Sequence, residues 1–162
     1  MLLYILRHAE AEDLSPSGLD ADRALTDAGA KRMKAIARVI AKMEPGFDAV
    51  LVSPLLRARQ TAEPVLAACR FKGEPLVSEA LLPGSDPKNL LEELAESEWK
   101  SVLVVGHEPH MGRLVGRLVS GRRDVEVPMK KAALAIFEIH PHLGESRAEL
   151  KAYLPPRLLE RL

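Results

Sequence analysis

The sequence has a single cysteine, no excess of charge of either sign and no long apolar run. One cysteine, Cys69, cannot form an intrachain disulfide, which is consistent with a reducing cytoplasm. The 23 lysines and arginines equal the 23 acidic residues, whereas proteins that bind nucleic acids or membrane surfaces usually carry a basic excess. The apolar start of the chain is too short for a secretory signal and lacks its basic residues. We therefore expect a cytoplasmic protein that binds neither nucleic acid nor membrane.

Glycine-rich phosphate-binding loops are also missing, because no predicted strand is followed by G-x-G-x-x-G or by a P-loop. This argues against nucleotide binding through such a loop, and we expect no cofactor. The sequence contains instead short apolar runs that alternate with segments of helical periodicity.

The apolar runs at residues 2–6, 48–52 and 101–105 predict buried strands. Residues 132–139 and 147–154 predict a terminal hairpin. Capping residues mark the helix boundaries between these strands, at Thr26, Ser53-Pro54, Asp86-Pro87 and Gly121. The alternation predicts one α/β domain over residues 1–162, built of three layers. Its central sheet is expected to be mainly parallel, with helices on both faces and an antiparallel edge strand.

Basic and imidazole side chains follow the predicted strands where each strand ends. Arg7 and His8 follow the first strand, Arg57 lies early in the helix after the second, and His107 follows the strand at 101–105. In open α/β sheets, ligands bind beyond the carboxyl ends of the strands, next to helix N-termini. Such a cluster of positive charge requires an anion, and planar arginine forks suit the oxygens of a phosphoryl group.

Two histidines at one phosphoryl site indicate catalysis in addition to binding. A neutral imidazole can attack phosphorus and form a covalent phosphohistidine. His8 is the better candidate, because backbone groups around Ala9 can fix its tautomer. His107 suits the stabilisation of charge on the equatorial oxygens, and Gly106 allows the backbone to approach closely.

Three motifs, "LRHAEAE", "SPLLRARQTA" and "VLVVGHEP", resemble the signatures of the histidine phosphatase superfamily, including its RHG motif, in the right order. The small size, the "RHA" form and the absence of a helical insertion resemble the compact SixA-like branch, the phosphohistidine phosphatases. "DADRALTDAG" also resembles the D-x-x-R-P-L-T segment of the family, with Ala24 in place of the proline. The resemblance implies the phosphoglycerate mutase-like fold.

The resemblance also implies roles for particular residues. His8 would be the phosphorylated nucleophile, while Arg7, Arg57 and His107 would form the phosphate pocket. Asp20 and Arg23 would lie on the loop at its rim. The proton donor is open: Glu79 in "SEALLPG" matches the larger members, Glu108 matches the acid-phosphatase branch, and Asp20 is a third candidate. No metal is implied.

The leaving group bears on the substrate. An alkoxide needs a proton to leave, whereas a phosphorylated imidazole can be protonated beforehand and leave as a neutral ring. A member with a poor general acid should therefore favour phosphohistidine. The missing lid suits a histidine presented on a protein surface, such as a histidine-phosphotransfer domain. A phosphatase or mutase acting on a small phosphate ester is the alternative.

Two further classes compete with this interpretation. A metal hydrolase could use His8, His107, Glu108 and His110, although the adjacent arginines disfavour a cation and no H-E-x-x-H pair is present. A non-catalytic phosphate-binding module could use the same scaffold, although binding alone requires arginines and N–H groups and no histidine pair.

Overall fold

A computed structural model describes residues 1–140 and 147–162, and its centre is one six-stranded mixed sheet. The strands are β1 (Leu2–Arg7), β2 (Ala49–Val52), β3 (Leu76–Val77), β4 (Ser101–Gly106), β5 (Leu134–His140) and β6 (Arg147–Leu154). Their order is β3-β2-β4-β1-β5-β6. The first four are parallel to one another, and β5 runs antiparallel to both β1 and β6. The mainly parallel sheet and the terminal antiparallel hairpin confirm the predicted fold class.

Helices cover both faces of the sheet. They are α1 (Asp27–Lys42), α2 (Leu56–Ala68), α3 (Pro87–Ala95), α4 (His110–Ser120) and the short α5 (Pro156–Leu159). Alternate residues of β1 enter different cores, as the two-residue period of a strand requires. Tyr4 and Leu6 pack with α1 and α2, whereas Leu3 and Ile5 pack with α3 and α4. Two apolar layers thus separate three structural layers, as the sequence predicts.

Helix boundaries follow the capping residues in all but one place. The Thr26 hydroxyl accepts the Gly29 N–H at 3.0 Å, and Asp86 accepts the Lys88 N–H at 2.8 Å. Gly121 ends α4 with a φ of 72°, in the left-handed region that favours glycine. The predicted helix start at Ser53-Pro54 is wrong, because α2 begins at Leu56. The Ser53 hydroxyl lies instead within hydrogen-bond distance of His107, in the candidate active site.

The terminal hairpin pairs β5 with β6, with His140 opposite Arg147. The turn predicted between them, at residues 141–146, lies outside the described residues. Within residues 1–140 and 147–162, no helix combines the length and the apolar character needed to cross a bilayer.

Candidate active site

The pairing of β1 with β4 places two strand ends of the predicted site side by side. Arg7 lies opposite Gly106 in the parallel register, and the His8 N–H donates to the Gly106 carbonyl at 3.0 Å. His8 and His107 therefore leave the sheet together, with ring centroids 4.9 Å apart and ring planes at 50°. One phosphoryl group can contact both rings at this spacing, because each hydrogen bond spans about 3 Å.

The neighbouring strand β2 and helix α2 complete the site with two buried hydroxyls. The Ser53 N–H donates to Val105, and the Ser53 hydroxyl lies 2.7 Å from His107 Nε2. Thr61 donates to the Arg57 carbonyl at 2.6 Å and accepts the Ala9 N–H at 3.1 Å. Sequence reasoning did not assign Ser53 or Thr61 to the site. A signal was present for Thr61, which lies four residues after Arg57 and hence on the same face of the helix.

The tautomer of His8 is set by its neighbour. Its Nδ1 lies 2.7 Å from the Ala9 carbonyl, which can only accept, so Nδ1 carries the proton and Nε2 keeps its lone pair. Burial is the main cause that lowers the pKa of His8 to about 4. The positive charges of Arg57, Arg7 and Lys131 lower this pKa further, while the bond to Ala9 opposes them. His8 is therefore neutral at pH 7.

His107 is also neutral, since burial and the nearby His8 and Arg57 lower its pKa to about 3. Its side chain is only 1% exposed. Its Nδ1 is buried and has no hydrogen-bond partner in the described part of the chain. If the Ser53 hydroxyl donates to Nε2, Nδ1 bears the proton and remains available as a donor to a ligand.

Arg57, Asp20 and Arg23 form one network at the rim. Arg57 donates to the Asp20 carbonyl at 2.8 Å and to its carboxylate at 3.0 Å, and Arg23 donates to the second carboxylate oxygen at 2.8 Å. The Arg23 bond, followed by that from Arg57, lowers the pKa of Asp20 and keeps this carboxylate ionised. Asp20 thus holds the two arginines, and its ionisation makes it a poor proton donor.

Arg7 is held on the other side of the site. Its Nη1 donates to the Met129 carbonyl, while its Nε is buried and unpartnered among the described residues. A buried cationic donor left without a partner is costly, so we expect this Nε–H to donate to an oxygen of a bound ligand.

The two glutamates considered as proton donors differ in their contacts. Glu108 is half-buried, and its Oε1 accepts the Met129 N–H at 2.7 Å. Glu79 lies exposed in a 3-10 turn, Glu79–Leu81, that packs against the end of β4 at Gly106. The Glu79 carboxylate makes no hydrogen bond or salt bridge to residues 1–140 or 147–162. Of the three candidates, Glu79 therefore has the least engaged carboxyl group.

The metal-site alternative requires ligands from His8, His107, Glu108 and His110. Within the described ranges, these residues do not bring three ligand atoms close enough together to share an ion. His8 Nδ1, His107 Nε2 and Glu108 Oε1 already contact Ala9, Ser53 and Met129, respectively.

Together, fold and site define a class: an α/β protein with two buried, neutral histidines and two arginines at the ends of its central strands. Comparison with known proteins agrees. The model of the histidine phosphatase superfamily (branch 1) matches residues 3–82. The phosphohistidine phosphatase SixA of Escherichia coli (strain K12) is 33% identical over 124 residues, or 75% of this chain and 76% of that protein.

Two further relatives extend the likeness. A SixA homologue of Haemophilus influenzae is 30% identical over 77% of this chain and 81% of its own length. A solved structure of the protein histidine phosphatase SixA complexed with tungstate superposes with a TM-score of 0.85 and 27% identity. That superposition covers 97% of this chain and 98% of the other. The chain belongs to the histidine phosphatase superfamily, in its SixA-like branch, and is a phosphatase.

Proposed function

We propose that this phosphatase removes the phosphoryl group from phosphohistidine on a protein, through a covalent intermediate on His8. The observation that carries the proposal is the state of the His8 ring. Its Nδ1 is committed to the Ala9 carbonyl, its pKa is lowered to about 4, and it lies 4.9 Å from His107 between ring centroids. A neutral imidazole with a free Nε2 lone pair beside cationic donors is an activated nucleophile.

In the first step, the Nε2 lone pair of His8 attacks phosphorus. The new N–P bond forms as the P–N bond to the substrate imidazole breaks, and that ring leaves with the electron pair as a neutral species once its nitrogen is protonated. Arg7 and Arg57 bind the phosphoryl oxygens, and His107 Nδ1–H donates to an oxygen on which charge builds. These donors are fixed before the substrate arrives, which is what makes them effective.

In the second step, water attacks the phosphorus of phosphorylated His8. The N–P bond breaks, the electron pair returns to Nε2, and the water proton passes to solvent as inorganic phosphate forms. The two guanidinium groups supply the positive charge that a metal ion would otherwise provide. We therefore propose a reaction that needs no metal, and activity in the presence of a chelator tests this directly.

A protein substrate is supported by the relatives and by the rim of the site. The matched relatives are named phosphohistidine phosphatases. The rim loop, residues 11–25, exposes two leucines, with Leu14 82% and Leu19 61% exposed. Ser15 donates to the Leu19 carbonyl at 2.7 Å, so this part of the loop is ordered by its own hydrogen bonds. Exposed leucines on an ordered loop beside a phosphate pocket suit contact with another protein.

The cytoplasmic location stays a prediction.

The first test replaces the nucleophile. His8→Ala should reduce turnover of a phosphohistidine peptide to background, because the covalent path then has no nucleophile. Mass spectrometry of the wild-type protein, quenched in base during turnover, should find the phosphoryl group on His8. Circular dichroism should show an unchanged fold in the variant. Full activity of His8→Ala would eliminate the mechanism.

A second measurement separates the proposed substrate from the small-ester alternative. The ratio kcat/KM should be higher for a phosphohistidine protein, such as a phosphorylated histidine-phosphotransfer domain, than for alkyl and sugar phosphates. The reverse ranking would favour a phosphatase or mutase of small esters.

A further inference from the structure

We propose that Glu108 is a positioning residue for Arg7 and acts through the backbone of Met129. This inference rests on the proposed function, because it takes Arg7 to be part of the phosphoryl pocket. The segment that links the two residues is the strap, defined as residues 125–133, which forms the second part of the connection from α4 to β5.

Met129 is held from both sides. Its N–H donates to Glu108 Oε1 at 2.7 Å, and its carbonyl accepts from Arg7 Nη1. Its own side chain is 2% exposed and lies in the core between the sheet and α4. The backbone of one buried residue, Met129, therefore bonds both to the Glu108 carboxylate and to the Arg7 guanidinium. The position of the Arg7 side chain thus depends on that of Glu108.

Close packing at Gly112 keeps the Glu108 carboxylate in this position. A Cβ atom at Gly112 would lie 2.7 Å from Glu108 Oε2 and 3.1 Å from the Val127 carbonyl. The Val127 N–H in turn donates to the Gly112 carbonyl at 3.0 Å. The glycine therefore lets helix α4, the Glu108 carboxylate and the strap approach one another, and the carboxylate is wedged between helix and strap.

The strap also contacts the nucleophile strand directly. The Ala132 N–H lies 3.2 Å from the Arg7 carbonyl and 3.1 Å from the His8 carbonyl. Ala132 adopts a φ of 61°, a left-handed conformation that costs a non-glycine residue free energy unless its surroundings impose it. A shift of the strap at Met129 is therefore transmitted to the backbone of both site residues.

Electrostatics point in the same direction. Burial lowers the pKa of Arg7, and the first of the charges that oppose this effect is Glu108. Glu108 is thus the principal countercharge of Arg7 as well as the anchor of its hydrogen-bond acceptor. Arg7 keeps its Nε–H unpartnered among the described residues, and only a fixed guanidinium plane can direct that donor at a phosphoryl oxygen.

The test compares three substitutions at position 108. Glu108→Gln keeps an oxygen that can accept the Met129 N–H, whereas Glu108→Ala removes it and Glu108→Asp withdraws it by one methylene. We expect Glu108→Ala and Glu108→Asp to weaken binding of inorganic phosphate and to lower kcat/KM by roughly 10- to 100-fold, the scale that misplacement of a site residue produces. Glu108→Gln should stay within about threefold of the wild type, because the amide oxygen can keep the bond to Met129 and Arg7 stays protonated without the countercharge.

A double-mutant cycle identifies the route of the effect. In an Arg7→Ala background, Glu108→Ala should have little further effect on phosphate binding, because the residue that it positions is gone. Equal losses in both backgrounds would overturn the proposal. Loss of alkyl-ester turnover alone in Glu108→Gln would also overturn it, since that pattern marks a proton donor. If Glu108→Ala does not fold, the comparison of Glu108→Gln with Glu108→Asp decides the same question.

Glu126→Gln is the matched control. This carboxylate lies on the same strap but accepts from the exposed Arg113 at 2.7 Å, so its loss should leave phosphate binding unchanged. Failure of the proposed function looks different from failure of this inference. The first is marked by a His8→Ala variant that still turns over, and the second by an inactive His8→Ala together with wild-type behaviour of Glu108→Ala.

Discussion

At the scale of single residues, one hydrogen bond often decides what a side chain can do. In the proposed mechanism, His8 can attack because the Ala9 carbonyl fixes its proton on Nδ1 and leaves the Nε2 lone pair free. Asp20 and Glu108 are both acidic and both near the site, yet each is engaged, by two arginines and by the Met129 N–H respectively. Residue type and proximity to the site alone would not have distinguished the roles of Asp20 and Glu108.

Glu79 is the remaining candidate for protonating a leaving oxygen. We expect Glu79→Gln to slow an alkyl phosphate by roughly 10²–10⁴, because the departing alkoxide is strongly basic. A phosphohistidine peptide should lose far less, since its ring nitrogen takes a proton from solvent beforehand. Steady-state kinetics on both substrates across a pH series make the measurement. Similar losses on both would show that the leaving-group argument is wrong.

At the scale of elements, the segments that follow the strands carry the candidate site residues, and the sheet fixes the positions of these segments. Two contacts anchor the rim loop. The Asp20 carboxylate accepts from Arg57 of α2, and Arg23 Nε donates to the Glu12 carbonyl at 2.6 Å, which joins the two ends of the loop. Its leucines are presented to solvent from this anchored frame.

If the rim loop contacts a protein substrate, its leucines should matter only for that substrate. Leu14→Ser combined with Leu19→Ser should lower kcat/KM for a phosphohistidine protein by roughly tenfold, about the effect of losing an interface contact. Turnover of an aryl phosphate should not change. Val119→Ser is the control, because Val119 is 54% exposed but lies in the last turn of α4, at the opposite end of the helix from His107. An equal loss on both substrates would contradict a docking role.

At the scale of the whole molecule, the described fold buries three neutral histidines. Burial lowers the pKa of His8 and of His110 to about 4, and that of His107 to about 3. In an unfolded chain, each histidine titrates near 6.5. Between these folded-state values and about pH 6.5, the unfolded state therefore binds more protons than the folded state. Protonation of the three histidines favours unfolding in this range and ceases to do so above about pH 6.5.

The free energy of unfolding should accordingly fall as the pH is lowered from about 7 towards 4. His110 allows a test outside the phosphate pocket, because it is fully buried and neither ring nitrogen has a partner among the described residues. His110→Leu should make the pH dependence in this window shallower by about 1.4 kcal/mol per pH unit, the effect of one proton. Urea denaturation at several pH values measures the slope. An unchanged slope would show that His110 is protonated in the folded state.

Much of the fold follows from local sequence. The apolar runs of β1, β2 and β4 have no stable position except inside a sheet, and capping by Thr26 and Asp86 is a contact within one turn. The motif ends could be assigned to one edge because parallel strands share a direction. Arg7, His8, Arg57 and His107 could thus be expected together before any coordinates were known.

Tertiary structure decided what lies far apart along the chain. Ser53 reads locally as a helix cap, but the β2–β4 pairing brings its hydroxyl to His107, 54 residues away. Glu108 reads as a candidate acid, but the strap returns to it at Met129, 21 residues later. Local sequence specifies secondary structure and the chemistry available at each position. The partner that each polar group finds depends on packing between distant segments, because buried donors and acceptors must be satisfied by whatever the fold places beside them.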